Sequence, residues 1–246
     1  MILAAQMKND LGIYERAAEA WWDGSDRTFR SLRRVKAFHL AELERLFGSD
    51  LRGASVVDLG CGGGLLAVPL AERGASVIGL DRSPRSVRAA REAAAHAGVA
   101  RRCRFTVADL CGTPLESGAF DFALLSDVLE HIEEPGIALR EAARLLRVGG
   151  HLYLNTLNRT RRARWLAVAL AEGLGYVPRG THDWRLFVRP EELRALAAAE
   201  GLRCDAVLGE APRLLATLRS RGLEMRRSAS TAVSYTAVFT KVEVLA

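Results

Sequence analysis

Apolar and polar positions follow two periods along this chain, and the switches between them mark its elements. Val56 and Val57 open a short β-branched run, and apolar Leu65 to Leu70 follow at helical spacing. Strand and helix then alternate. Ala75–Asp81 reads as a strand, and Pro84–Ala97 as a helix opened by Ser83 and Pro84. Arg104–Ala108 and Phe120–Ser126 read as strands, Pro135–Arg147 as a helix, and His151–Thr156 as a strand after a Gly149-Gly150 turn. Arg203–Leu208 and Ser230–Lys241 complete the strands; the polar-apolar alternation of the latter suggests a last antiparallel edge strand. The pattern predicts an α/β fold, Rossmann-like, with a mostly parallel seven-stranded sheet and helices on both faces.

Two helical patterns precede the first strand. Ile13–Trp22 is short and amphipathic and ends in Trp-Trp-Asp-Gly; Thr28–Phe47 places Leu32, Val35, Phe38, Leu43 and Leu46 on one face. Residues 1–50 are therefore expected to form a helical lid, with 51–246 as the main domain. A segment at about 159–189 exceeds what a minimal domain needs and reads as an inserted helix and loop. Within it, Arg161, Arg162 and Arg164 abut the apolar stretch Trp165 to Leu170. A basic, tryptophan-bearing helix of this kind either lies in a lipid interface or packs on the domain's own core.

Composition narrows the picture modestly. The 246 residues are 49% hydrophobic and 26% charged, ordinary for a soluble globular protein. The net charge of +6 gives a diffuse basic surface, attractive to anionic membranes or acidic substrates. No aromatic-basic interleaving or finger pattern points to nucleic acid. The cysteines Cys61, Cys103, Cys111 and Cys204 form no C-x-x-C pair, which fits a reduced, cytoplasmic setting. The apolar run Met1–Ala5 is too short for a signal peptide.

The candidate chemistry gathers after the first strand, at Asp58-Leu59-Gly60-Cys61-Gly62-Gly63-Gly64. Glycines here let a ligand approach bare backbone at the carboxyl end of a strand. The spacing is not that of a dinucleotide loop, since the last glycine of that pattern would fall on Leu65. An acid at Asp58 also suits a cationic ligand better than a pyrophosphate. S-adenosylmethionine, with its sulfonium and amino group, fits that description. Asp81 ends the next strand, where an acid accepts hydrogen bonds from ribose hydroxyls, and Arg82 follows it. Asp127, Glu130 and His131 follow the fourth strand. Such a set either holds a divalent metal such as Mg or leaves His131 as a general base beside a carboxylate.

The loop resembles the nucleoside-binding signature of class I S-adenosylmethionine-dependent methyltransferases. In that superfamily Asp109, with Leu110 beside it, falls where the adenine amino group is contacted. More specifically, the chain resembles the demethylubiquinol and polyprenyl-dihydroxybenzoate O-methyltransferase family of ubiquinone biosynthesis. The resemblance rests on Trp21-Trp22-Asp23, the glycine loop, Gly79-Leu80-Asp81, Leu129-Glu130-His131, Thr156-Leu157-Asn158-Arg159 and Gly180-Thr181-His182-Asp183-Trp184. It implies methyl transfer to a phenolic or catecholic hydroxyl of a small acceptor; the residues alone also allow N- or C-methylation of another small molecule, or nucleoside binding without chemistry. The resemblance also places Arg34, Gly60, Asp81 and Ser126 at nucleoside contacts and Asp127, Glu130 and His131 at a metal site, with Asp127 replacing the family's first Glu. The chain departs from the family at Ser31–Ala37, at Ala211-Pro212-Arg213 and at Ser234-Tyr235, regions that shape the substrate side.

Overall fold

The computed structural model describes residues 9–23, 26–110 and 112–243, with the side chains of 169 and 170 excepted. The Met1–Ala5 run and Cys111 lie outside these residues. A single eight-stranded sheet has the order β3-β2-β1-β4-β5-β8-β6-β7. Its parallel half comprises β1 (Ser55–Leu59), β2 (Ser76–Asp81), β3 (Cys103–Val107), β4 (Phe120–Ser126) and β5 (Leu146–Leu157). The carboxyl ends of these strands share one edge, and the order reverses between β1 and β4. That reversal is where open sheets of this kind bind ligands.

Helices cover both faces. On one, α2 (Arg27–Phe47), α3 (Ala67–Glu72) and α4 (Pro84–His96) contribute Leu43, Leu70, Val87 and Ala90 to a buried cluster with Val56, Val77 and Tyr153. On the other, α5 (Pro135–Leu145) and α7 (Pro190–Ala199) bury Leu139, Ala142, Leu193 and Ala197 against Val57, Leu125 and Leu154. Asp26 caps α2, its side chain accepting from the Phe29 amide, and Ser83 caps α4 through the Ser86 amide.

Several expectations are corrected. The helix expected over Ile13–Trp22 is broken into α1 (Gly12–Arg16) and a 3₁₀ turn, Ala18–Ala20. Gly149 and Gly150 do not form a turn before β5. They lie inside it, where the register against β4 shifts between Phe120 and Phe122. The final strand, β8 (Ser234–Lys241), is antiparallel but internal, paired to β5 on one side and to β6 (Leu202–Pro212) on the other. Its alternating polar residues look solvent-facing in sequence but find partners inside: Tyr235 donates to the Val188 carbonyl at 3.0 Å, and Thr236 bonds Glu210. The true edge is an eighth strand, β7 (Met225–Ser228), too short and too polar to stand out. In the inserted segment, α6 (Arg161–Ala163) runs into a π-helical stretch, Arg164–Glu172.

Candidate active site

A cavity of about 490 Å³ opens at the carboxyl edge of the parallel strands, between the glycine loop, the end of β4 and the N-terminal elements. Asp58, at the end of β1, lines it while being 3% exposed. Burial pushes its carboxyl up to about 7, against the pull of the Lys36 ammonium. A buried acid in that state is a place for a cationic ligand, and the amino group of S-adenosylmethionine supplies one. The residues present therefore fit that cofactor.

Gly60, Cys61 and Gly62 line the same wall, whereas Gly64 turns inward against Ala90 and Phe105. Gly60, Gly62 and Gly64 all have positive φ, which explains their spacing. The indole of Trp21, which also lines the cavity, packs against the loop. A Cβ on Gly62 would lie 2.5 Å from that ring, and one on Gly63 would lie 2.3 Å from it. Trp22 donates to the Gly63 carbonyl at 2.8 Å, and Trp21 to Ser86 Oγ at 3.0 Å. The glycines thus make room for tryptophan as well as for ligand.

Asp81 accepts from the Gly62 amide at 2.8 Å and from the Ser83 amide at 2.9 Å, tying β2 to the loop. Arg82, Asp109 and Leu110 line the cavity beside it. Arg34 does not. Its guanidinium pairs with Glu224, and its stem lies against Gly222, away from the glycine loop. Two residues on, half a helical turn away, Lys36 reaches into the cleft instead. It donates to the Ser126 carbonyl at 2.7 Å, to Ser126 Oγ at 2.8 Å and to Asp127 Oδ2 at 2.9 Å. Nothing in the apolar periodicity of α2 distinguishes Lys36; only its neighbours in space do.

The turn after β4 distributes its polar side chains in different directions. Asp127, held at φ 54°, faces Lys36, with His39 Nδ1 3.7 Å away. Burial raises its carboxyl, but Lys36 and His39 outweigh that and hold it below the usual carboxylate range. Glu130 points inward, 1% exposed, and accepts from Thr156 Oγ1 at 2.8 Å. Burial and the Asp127 charge push it up to about 8. His131 alone of the Leu129–His131 turn lines the cavity. Its Nδ1 lies 2.9 Å from Asn9 Oδ1, and its ring stacks on His182 at 5.5 Å between centroids. Burial, and then His182, push its imidazole down to about 3, so the ring is uncharged at neutral pH.

The expected metal set is therefore not assembled. A 3₁₀ turn separates successive side chains by about a third of a revolution. Asp127 stands before that turn at φ 54°, and Asp127, Glu130 and His131 take Lys36, Thr156 and Asn9 as separate partners. Among the described residues no group of three His, Cys, Asp or Glu is disposed to hold a metal ion. Glu130, expected as a catalytic group, does not line the cavity. The residues that sequence alone missed are Asn9, Tyr14, Lys36 and His39, all in the N-terminal elements.

Comparison with known proteins places the chain among methyltransferases. Residues 57–154 match a family model described as a methyltransferase domain. A ubiquinone biosynthesis O-methyltransferase from Methylobacterium nodulans is 38% identical over 206 residues, 79% of this chain and 82% of that protein. One of the same name from Caulobacter vibrioides is 34% identical over 242 residues, 94% of this chain and 93% of that protein. The fold matches magnesium protoporphyrin IX methyltransferase from Synechocystis PCC 6803 with bound S-adenosylhomocysteine. The TM-score is 0.66, with 22% identity and 95% of each chain covered.

Proposed function

The chain belongs to the ubiquinone biosynthesis O-methyltransferase family, and from that premise we propose that it methylates a phenolic or catecholic hydroxyl with His131 as the general base. It is an S-adenosylmethionine-dependent methyltransferase. The relatives' name points to a ring of the ubiquinone-precursor kind as the acceptor. When bound, the cofactor supplies an electrophilic methyl group on a sulfonium. What the chain contributes is placement, a cation-binding acid and a proton acceptor.

The observation that carries the reading is that His131 lines the same cavity as Asp58 and the glycine loop, where burial favours its uncharged form. An imidazole held this far down does not ionise a phenol in a separate earlier step, because a phenol's pKa is near ~10 by analogy with tyrosine. It takes the proton as the oxygen–methyl bond forms, when the oxygen becomes far more acidic. The bond formed is oxygen to methyl, the bonds broken are methyl to sulfur and oxygen to hydrogen, and the proton passes to His131 and then to solvent. Incubation with labelled methyl donor and a panel of catechols, phenols and amines tests the acceptor class. Label in an aryl methyl ether supports it, and label only in a methylated amine overturns it.

We further propose that the protein, placed in the cytoplasm, docks peripherally on the membrane. Arg161 and Arg162 are exposed, and Trp165 is 62% exposed on the π-helical stretch. Nearby α8 (Leu214–Ser220) exposes Leu214, Leu215 and Leu218, and Tyr176 links the two segments by donating to the Thr217 carbonyl at 3.4 Å. Exposed leucines beside arginines favour an anionic lipid surface. Among the described residues no helix is long and apolar enough to cross a membrane. Flotation with anionic vesicles at low salt is the check; protein left in the soluble fraction overturns the docking reading.

A further inference from the structure

The N-terminal strap is hydrogen-bonded to His131 through one side chain. Asn9 makes two hydrogen bonds to the same residue. Its Nδ2 donates to the His131 carbonyl at 3.0 Å, and its Oδ1 lies 2.9 Å from His131 Nδ1. The first bond fixes which end of the amide faces the ring. A carbonyl oxygen accepts only, so the amide nitrogen must be the atom beside it. The oxygen left facing Nδ1 is likewise only an acceptor, so Nδ1 must carry a hydrogen. An uncharged imidazole has one N–H. Nε2 is therefore bare, with its lone pair free.

We propose that Asn9 is a positioning residue that sets the Nδ1–H tautomer of His131, leaving Nε2 as the atom that takes the acceptor's proton. This rests on the reading of His131 as the base. The free side chain favours the opposite tautomer, with the hydrogen on Nε2 and no lone pair where the proton must go. Asn9 corrects that preference.

The strap is built to hold this contact. Asn9 has φ 64°, a left-handed conformation that asparagine tolerates better than most residues. The next amide, Asp10 N–H, donates to the Gly180 carbonyl at 3.0 Å, fastening the strap to the inserted segment. Asp10 then accepts from the Gly12 amide at 3.0 Å and from Arg16 at 2.6 Å, which leads the chain into α1. The inserted segment also supplies His182, stacked on His131, with Glu172 Oε1 3.2 Å from His182 Nδ1. Asp127 and Lys36 are the other charged groups acting on the ring. Of all these, only Asn9 is hydrogen-bonded to it among the described contacts.

Nitrogen-15 spectroscopy of the imidazoles in the intact protein reads the tautomer directly, with His131→Gln assigning the signals. At neutral pH His131 Nδ1 should show a pyrrole-type shift and Nε2 a pyridine-type shift. Asn9→Leu, which cannot accept, should move the ring toward the Nε2–H form. It should also lower kcat by roughly tenfold, a part of the 10²–10⁴ a placed base contributes, with S-adenosylhomocysteine affinity unchanged. Asn9→Asp keeps an acceptor and adds a charge. It should keep the tautomer and move the acid limb of the kcat profile to higher pH. A wild-type ring protonated at Nε2, or an Asn9→Leu protein with both the tautomer and kcat unchanged, overturns the assignment while leaving His131 a base. The stated tautomer together with a fully active His131→Ala overturns the base reading, and Asn9's role in the reaction with it.

Discussion

Lys36 neutralises Asp127: the ammonium lies 2.9 Å from Oδ2 and is fixed there by two further bonds to Ser126. This joins α2 to the end of β4 and keeps Asp127 in an uncommon backbone conformation. Lys36→Met should destabilise the protein by about 1–3 kcal/mol at neutral pH, below the limit for fully buried pairs because Asp127 is partly exposed. The folded carboxyl is held below its unfolded value, so this stability is present above about pH 4 and is lost as pH falls through the folded pKa. The difference between variant and wild type in urea should therefore shrink in acid. A pH-independent difference would mean the pair is not its source.

Asp58 should couple donor binding to protons. In the free protein its carboxyl sits at about 7, so below that pH it is mostly protonated. A bound ammonium needs the carboxylate, and binding must then release a proton. S-adenosylhomocysteine affinity should rise with pH up to about 7 and then level. Asp58→Asn should flatten that dependence and weaken binding by about 1.5–3 kcal/mol, the worth of a hydrogen bond to a charged group. Titration calorimetry in buffers of different ionisation enthalpy measures the proton count. No release at pH 6 would contradict the placement.

Trp21 and the glycine loop should fail together. A Cβ on Gly63 would sit 2.3 Å from the indole, so Gly63→Ala must push the ring out. Overpacking of this kind costs about 1–3 kcal/mol. Trp21→Ala alone should cost about 3–5 kcal/mol. The double variant should cost clearly less than the sum, because the clash disappears with the ring. Additive losses on urea unfolding would show that the loop tolerates a Cβ by another route.

The parts of the site that sequence revealed are those that are local. Asp58, Gly60 and Gly62 belong to one strand and one turn, and Asp81 marks the end of the neighbouring strand, so residue type and spacing alone placed them. Lys36 was hidden because it lies 90 residues before Ser126 on a helix whose pattern speaks only of packing. Asn9 was hidden because its partner is 122 residues away. Glu130 misled for another reason. Adjacent residues in a sequence look like one ligand set, and only the 3₁₀ turn reveals that Glu130 enters the core while His131 enters the cleft. In the sheet, β8 misled because its Ser, Tyr and Thr hydroxyls have buried partners.

Glu130 should prove structural. Its carboxyl is raised to about 8, so between about pH 4 and 8 the folded state holds a proton that the unfolded state has lost. Stability from this group therefore falls as pH rises through that window. Glu130→Gln removes the titration, and at pH 8 it should stabilise the protein by about 1–3 kcal/mol relative to wild type, with a smaller gain at pH 5. Thermal unfolding across that range is the check. A variant less stable than wild type at pH 8 would show that Glu130 is ionised with partners of its own.

His131 carries the proposed chemistry, and its removal is the most direct measurement. Methyl transfer to a catechol should be followed in His131→Ala at saturating donor, beside calorimetry of S-adenosylhomocysteine binding. The predicted result is a kcat lower by about 10²–10⁴, with product affinity within about twofold of wild type, because Asp58 and the glycine loop are untouched. A His131→Ala enzyme that methylates catechol at the wild-type rate would contradict the assignment of His131 as the base.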